Sequence, residues 1–328
     1  MLALGKARII LIETANVTRE NLGAALAAVP GCWKSSSLLW MHANDSPALP
    51  GLIFGGWSQE SEESVIRFCR PRNFSELLVR VEKPGQRWTR RRGGYTVPLD
   101  AVKGLVQDLA ADGMMAILLE PASPYTDFFS LTSVCEVDAG KVDVELVGPG
   151  FDASDILRSD ITPHERFEIQ FDDRLRASWD HPKLRSTRTH LVDPESYRTS
   201  VRQRLVKIGA RLRNPAFPDE QMQPGTSASA LEGLVQQATR YLRESGQTAL
   251  LERSDRYEPI PPRLLDAFLT EVFRLSKTVA ESNVSWRTFS LAGSFLSEER
   301  LVIWDFFPPG EHDVRTLLKL MARGREVG

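Results

Sequence analysis

Apolar residues in this chain come in short blocks. The longest runs, such as Met114 to Leu119, fall far short of the roughly 18 residues that a membrane-spanning helix requires. Such blocks, broken by charges, glycines and prolines, suit short buried strands alternating with amphipathic helices. The opening Met-Leu-Ala-Leu-Gly-Lys lacks the long apolar region of a secretory signal. Three cysteines, Cys32, Cys69 and Cys135, are too few and too scattered for a disulfide framework or a zinc knuckle. The expectation is a soluble, cytoplasmic protein of about two domains. With 328 residues, 42% of them apolar, one large core or two modest ones can be built.

The formal charge of −2 conceals a strong local imbalance. Between Arg67 and Arg92 stand nine basic residues and only two acids, Glu76 and Glu82, a net +7. The segment opens in Glu76–Glu82, read as a strand with Leu78, Arg80 and Glu82 on one face and Leu77, Val79 and Val81 on the other. It then leaves regular structure through Lys83-Pro84-Gly85 and reaches Arg90-Arg91-Arg92-Gly93-Gly94. Arginine forks and lysine ammoniums neutralise phosphate oxygens, and glycines let backbone N–H groups come close to them. A solvated basic loop is the plain alternative. Trp88 and Tyr95 in the same stretch also allow single-stranded nucleic acid, for which aromatics beside arginines are stacking platforms.

Further elements follow from spacing. Strands are expected at 7–14, 37–42, 52–54, 64–69 and 115–119, and a hairpin at 131–137 and 141–147. A helix runs from Pro98 to Ala111, and Thr18 is a candidate cap for a first helix. Residues 181–191 read as basic and irregular. Helices are expected after Asp193, around Leu231–Leu242 and after Pro261-Pro262, and a last strand pair at 286–295 and 300–307. A final helix is expected at 314–323.

Three other places carry chemistry. Glu120, after the apolar strand 115–119, suits a ribose hydroxyl or an adenine amine, or simply water. Asp143 and Glu145 share a strand face and are candidates to face the basic loop across a cleft; the polar run from Asp152 through Asp155, Arg158 and Asp160 to His164 follows them. Asp305 stands alone among Trp304, Phe306 and Phe307, where a carboxylate needs a hydrogen bond, an ion pair or a metal. The helix Arg198–Arg213 presents a basic face, either solvated or a partner surface.

The order strand, Lys-Pro, loop, Gly-Gly, helix, strand, Glu-Pro, hairpin resembles the nucleotide-binding core of the ATP-grasp superfamily. It is carried by Leu78–Pro84, Arg91–Tyr95, the helix to Ala111, and Ala116–Pro121; Val302–Asp305 looks like that family's late metal-binding strand. It is similar, too, to the ATP-binding lobe of pyruvate phosphate dikinase and phosphoenolpyruvate synthase. The resemblance implies an α+β fold, ATP-grasp-like, of two α+β subdomains with a helical insertion. Its segments would be an N-terminal lobe 1–75, a nucleotide-binding core 76–175, a basic helical insertion 176–262, and a completing helix and strand pair 263–328. It also implies ATP and Mg²⁺ as cofactors.

Carried over to this chain, Arg80, Lys83 and Arg92 would be catalytic. Lys83, Arg91, Arg92, Gly93, Gly94, Glu120 and Glu145 would hold the nucleotide, and Asp305 would hold magnesium. Only one carboxylate stands on the late strand where the family usually supplies two, so Glu145 is the candidate second ligand. The implied reaction is ATP-dependent activation of a carboxylate as an acyl phosphate, then attack by an amine or similar nucleophile. A non-catalytic ATP-grasp-derived scaffold and a nucleic-acid-associated protein using the Arg-rich loop are the alternatives. The basic helical insertion offers a surface for a protein partner.

Overall fold

The computed structural model of the chain describes residues 10–85, 94–121, 128–153, 156, 161–171, 184–214, 226–281 and 287–307. The chain divides into two compact units, Met1–Pro124 with Val302–Phe306, and Tyr125–Leu301 with Phe307–Gly328. This division differs from the four segments expected: it cuts the expected core 76–175 after Pro124 and joins Val302–Phe306 to the first unit. Helices and strands are mixed in an α+β arrangement. No described helix is long and apolar enough to cross a membrane.

The first unit is built on a five-stranded antiparallel sheet in the order β1 (Leu11–Glu13), β2 (Gly51–Phe54), β5 (Met115–Leu119), β3 (Glu76–Glu82), β4 (Gly94–Pro98). Its helices are α1 (Leu22–Ala28), α2 (Trp33–Ala43), α3 (Gln59–Cys69) and α4 (Leu99–Ala111). β3 alternates as its sequence requires. Leu77, Val79 and Val81 join Val65 and Phe68 of α3 and Val102, Val106 and Leu109 of α4 in one buried core. Leu78, Arg80 and Glu82 take the other face, the side on which α2 is hydrogen-bonded to Glu82. Gly51 is required where it stands, because a Cβ there would lie 2.5 Å from the Leu118 carbonyl oxygen.

Two elements expected as strands are helices. Residues 37–42 lie within α2. The first turn of α2 has no cap of its own: Cys32 at the cap position makes no side-chain hydrogen bond. The cap comes instead from Glu82, whose carboxylate accepts the N–H groups of Lys34 at 2.9 Å and Ser35 at 3.0 Å. The start signal is therefore supplied by a distant strand and has no local signature. Residues 64–69 end α3, which begins at a capping box made by Ser58 and Ser61. Serines at buried helical positions, Ser61 and Ser64, interrupt the apolar stripe that would have announced the helix. Asn21, not Thr18, stands at the N-cap position of the first helix; it makes no side-chain bond into the helix, and its side chain accepts the Thr18 N–H at 2.8 Å.

The second unit carries β6 (Ser130–Glu136), β7 (Lys141–Val147), β8 (Glu165–Phe171), β9 (Leu184–Leu191) and β10 (Thr288–Ser297). With β11 (Arg300–Phe307) they form a six-stranded sheet ordered β11-β10-β6-β7-β8-β9, antiparallel from β10 to β9. Residues 184–191, expected to be irregular, form β9. Its polar sequence carries no strand periodicity, and the strand is defined by pairing with β8 and by Arg188, which meets Glu165 at 2.6 Å and lies over the Phe167 ring. The hairpin β6–β7 turns at Gly140, which has φ +61°. The helices are α5 (Pro194–Arg213), capped by Asp193 as its sequence predicts, α6 (Ala228–Glu244), the short α7 (Ala249–Glu252) and α8 (Pro262–Glu281). The helix expected at 314–323 lies outside the described residues.

A polar knot is sealed in this unit. His164, fully buried, accepts the Gly148 N–H at Nδ1 (3.1 Å) and is boxed edge-on by Phe151 and Tyr197, with Tyr257 beside it. Its Nε2 has no hydrogen-bond partner and is left to the aromatic rings. Tyr257 donates to Glu165 at 2.9 Å, and Arg204, 1% exposed, donates to the Gly150 carbonyl at 2.9 Å. The polar run 152–164 therefore ends in the core and does not line an open site with His164.

Burial, reinforced by His190, lowers the His164 pKa to about 3. An unfolded histidine titrates near pH ~6.5, so below that the unfolded chain takes a proton that the folded chain refuses. Stability is complete above about pH 6.5 and falls, by up to about 1.4 kcal/mol per pH unit, as the pH drops towards 3. His164→Asn should flatten this slope, read by urea unfolding between about pH 4 and pH 7. A second prediction concerns the α5–α6 crossing. A Cβ on Gly209 would stand 2.1 Å from the Leu234 carbonyl oxygen, whereas nothing lies within 4 Å of one on Gly104. Gly209→Ala should cost about 3 kcal/mol and Gly104→Ala should stabilise by about 0.5–1 kcal/mol in denaturant unfolding.

Candidate functional site

The site is built outward from β3. Its last residues deliver Arg80 and Glu82 on one face near one end of the first unit's sheet, and Lys83 follows directly after the strand. Arg80 donates through Nη1 to the Trp304 carbonyl at 2.9 Å and through Nη2 to Asp305 Oδ1 at 2.6 Å. The two side chains keep 13% and 15% of their surface exposed, so the pair is shielded without being sealed. Glu82 is 4% exposed and saturated by the first turn of α2, including the Ser35 hydroxyl. Lys34, on the same turn, donates its ammonium to the Val81 carbonyl at 2.9 Å.

Lys83 is half-buried and leads into Pro84-Gly85. The path of the chain is fixed here by two glycines. Gly85, at φ +73°, donates its N–H to the Gly31 carbonyl at 3.0 Å. A Cβ on Gly31, itself at φ +71°, would press to 2.9 Å from the Gly85 nitrogen. The basic segment therefore departs from a point anchored to the turn before α2. It returns at Gly94, which lies directly opposite Arg80 in the β3–β4 register. Arg91, Arg92 and Gly93, expected to close over phosphates, lie outside the described residues, as do Trp88, Asp155, Arg158 and Asp160.

Glu120 sits elsewhere. β5 runs antiparallel to β3, with Leu119 opposite Leu78 and Met115 opposite Glu82. Glu120 follows at the start of β3, roughly 20 Å along the strand direction from Lys83. The two residues can meet opposite ends of one extended ligand but not the same group. Its N–H points to the Pro50 carbonyl at 3.4 Å.

Glu145 belongs to the second unit, and the basic loop that it was expected to face lies outside the described residues. It lies directly opposite Arg166 on β8, and that guanidinium meets its carboxylate at 3.1 Å. Cross-strand neighbours are close enough for such a pair to form within the sheet. Asp143 stands opposite Glu168 on β8.

Asp305, expected to hold magnesium, has Arg80 on one of its oxygens. A divalent cation on this carboxylate would share it with a guanidinium 2.6 Å away, a like-charge contact. Among the described residues no group of three His, Cys, Asp or Glu side chains is arranged to hold a metal ion. The residues present do not fit a magnesium ion held by the protein at Asp305. Asp305 does lie beside the Arg80 strand, and what joins the two is an ion pair.

Cys32, buried between Met115 and the Pro30 carbonyl, is no nucleophile. Burial first, and Glu82 second, push its thiol up to about 12. Sequence reasoning missed Lys34, Ser35 and the capping role of Glu82. The signal was an acid ending an alternating strand on its polar face, which asks for partners that the strand itself lacks.

The arrangement offers cations, a backbone pinned by glycines, and one carboxylate that already occupies an arginine fork. Chemically it suits an anion with several oxygens. No protein-family model matches the chain, and no curated protein sequence matches it.

Removing the internal cap tests this construction. Glu82→Ala leaves the N–H groups of Lys34 and Ser35 buried without their acceptor, and should cost about 1–3 kcal/mol. Amide exchange should accelerate first in α2, as read by mass spectrometry.

Proposed function

We propose that the chain is an ATP-dependent enzyme of ATP-grasp type that binds the phosphate chain of the nucleotide at the Lys83 end of β3 and activates a carboxylate substrate. The observation that carries the reading is the β3–β4–α4–β5 arrangement of the first unit. Lys83 leaves the sheet where Gly94 returns to it beside Arg80, and Glu120 follows β5 at the far end. In the proposed site the cations meet the phosphates and the Glu120 carboxylate meets a ribose hydroxyl or an adenine amine.

In this reading a substrate carboxylate oxygen attacks the γ-phosphorus. The bond from that phosphorus to the bridging oxygen breaks, and ADP leaves with the electron pair. An amine then attacks the acyl carbon; inorganic phosphate departs, and the amine proton passes to solvent. Charge neutralisation and positioning are the protein's contribution to such a transfer. Here they rest on Lys83, Arg80 and the arginines of the loop.

A second reading, a non-catalytic nucleotide-binding protein, is favoured by one observation: Asp305 is engaged by Arg80 instead of being open to a metal. Titration calorimetry with ATP, combined with ADP release and hydroxylamine trapping across a panel of carboxylates, separates the two. The enzyme reading predicts binding, carboxylate-dependent ADP release and a trapped hydroxamate. Binding with no ADP release on any carboxylate selects the second reading, and no nucleotide binding at all removes both. Lys83→Ala should weaken ATP by about tenfold or more, as expected for loss of a charge-assisted contact.

A further inference from the structure

The geometry points to Asp305 as an internal counter-anion that occupies the phosphate-binding fork of Arg80 until a polyphosphate displaces it; this rests on the phosphate site proposed above. Carboxylate and phosphate present the same kind of oxygen to a guanidinium, and both accept from its N–H groups in the same plane. The Nη2 donor that holds Asp305 at 2.6 Å cannot hold a phosphate oxygen along the same line. A phosphate that takes this Nη2 position has to exchange with Asp305, while Nη1 keeps the Trp304 carbonyl.

The structure around the pair suits an exchange. Besides the Arg80 bond to the Trp304 carbonyl, the Val302–Phe306 stretch is held by neutral contacts that do not involve the Asp305 side chain. The Ile303 N–H donates to the Pro47 carbonyl at 2.8 Å, and the Phe306 N–H to the Ser37 hydroxyl at 2.8 Å. Phe306 stacks on Trp40 at 4.1 Å with 9° between the rings. The backbone on either side of Asp305 is thereby held by contacts independent of the rotamer that its side chain takes. With 15% of that side chain already exposed, the displaced carboxylate is rehydrated without opening the core. Glu82, on the same face of β3, is not a competitor of this kind, because α2 accounts for its oxygens and it is 4% exposed.

Two consequences distinguish a counter-anion from a metal ligand. Neutralising Asp305 strengthens polyphosphate binding, and it does so without any divalent cation. The test is calorimetric titration of the full chain with sodium tripolyphosphate in EDTA, for wild type, Asp305→Asn, Asp305→Ser, Arg80→Met and the double variant Arg80→Met with Asp305→Asn. Asp305→Ser is included because asparagine still offers an oxygen to the guanidinium, whereas serine is too short to reach it. Far-ultraviolet circular dichroism checks that each variant is folded. The expected result is about tenfold tighter binding in both Asp305 variants, weaker binding in Arg80→Met, and no gain from Asp305→Asn when Arg80 is absent.

Equal or weaker binding in both folded Asp305 variants overturns the proposal. So does a gain that persists in the double variant, or a loss of affinity that appears only when magnesium is added. Each of these leaves the phosphate site standing. If neither wild type nor any Asp305 variant binds tripolyphosphate, the phosphate site falls and the counter-anion with it.

Discussion

The register of β3 between β4 and β5 is the constraint on which the first unit depends. One face of β3 gives Leu77, Val79 and Val81 to a core shared with α3 and α4; the other carries Arg80 and Glu82. A slip of one residue would exchange the faces, driving two charges into the core and three aliphatic side chains out of it. Because the faces differ so sharply, pairing is tied to chemistry. The same register sets Gly94 beside Arg80 and Glu120 at the opposite end of the strand from Lys83.

Charge on the polar face of β3 is handled in two ways. Glu82 is absorbed into architecture, replacing the missing cap of α2. Arg80 is balanced by Asp305, more than two hundred residues later in the chain, with a little of each side chain left exposed. Absorbed charge and balanced charge have different physical uses. A carboxylate holding two buried N–H groups cannot leave without destabilising a helix. A carboxylate paired with one arginine at a partly hydrated position can be exchanged for another anion. The local net charge of +7 is thus partly answered within the fold.

What the sequence made legible was periodic and local. The alternation of 76–82, the helix ending at Ala111, the apolar strand 115–119 and the hairpin of 131–137 with 141–147 all appear, as do the helices after Asp193 and after Pro261-Pro262. What it hid was supplied from a distance. α2 takes its N-terminal acceptor from β3, α3 buries serines in its stripe, and β9 is a strand through its pairing with β8 in spite of its polar composition. The candidate site divides the same way. Arg80, Lys83 and Asp305 could be named from residue type; that Arg80 and Asp305 lie close together could not. That the closeness is an ion pair depends on tertiary geometry that no local pattern encodes. Glu145 is met by Arg166 of a neighbouring strand, a partner that no local pattern announces.

The central claim is that Arg80 and Lys83 receive the phosphates of a nucleotide. The most direct measurement is a crystal structure of the chain with a non-hydrolysable ATP analogue. The account predicts phosphate oxygens within hydrogen-bonding distance of Arg80 and Lys83, with the Asp305 side chain turned away from the guanidinium. An analogue seated away from β3, or one seated beside Lys83 while the Arg80–Asp305 pair stays closed, would contradict it.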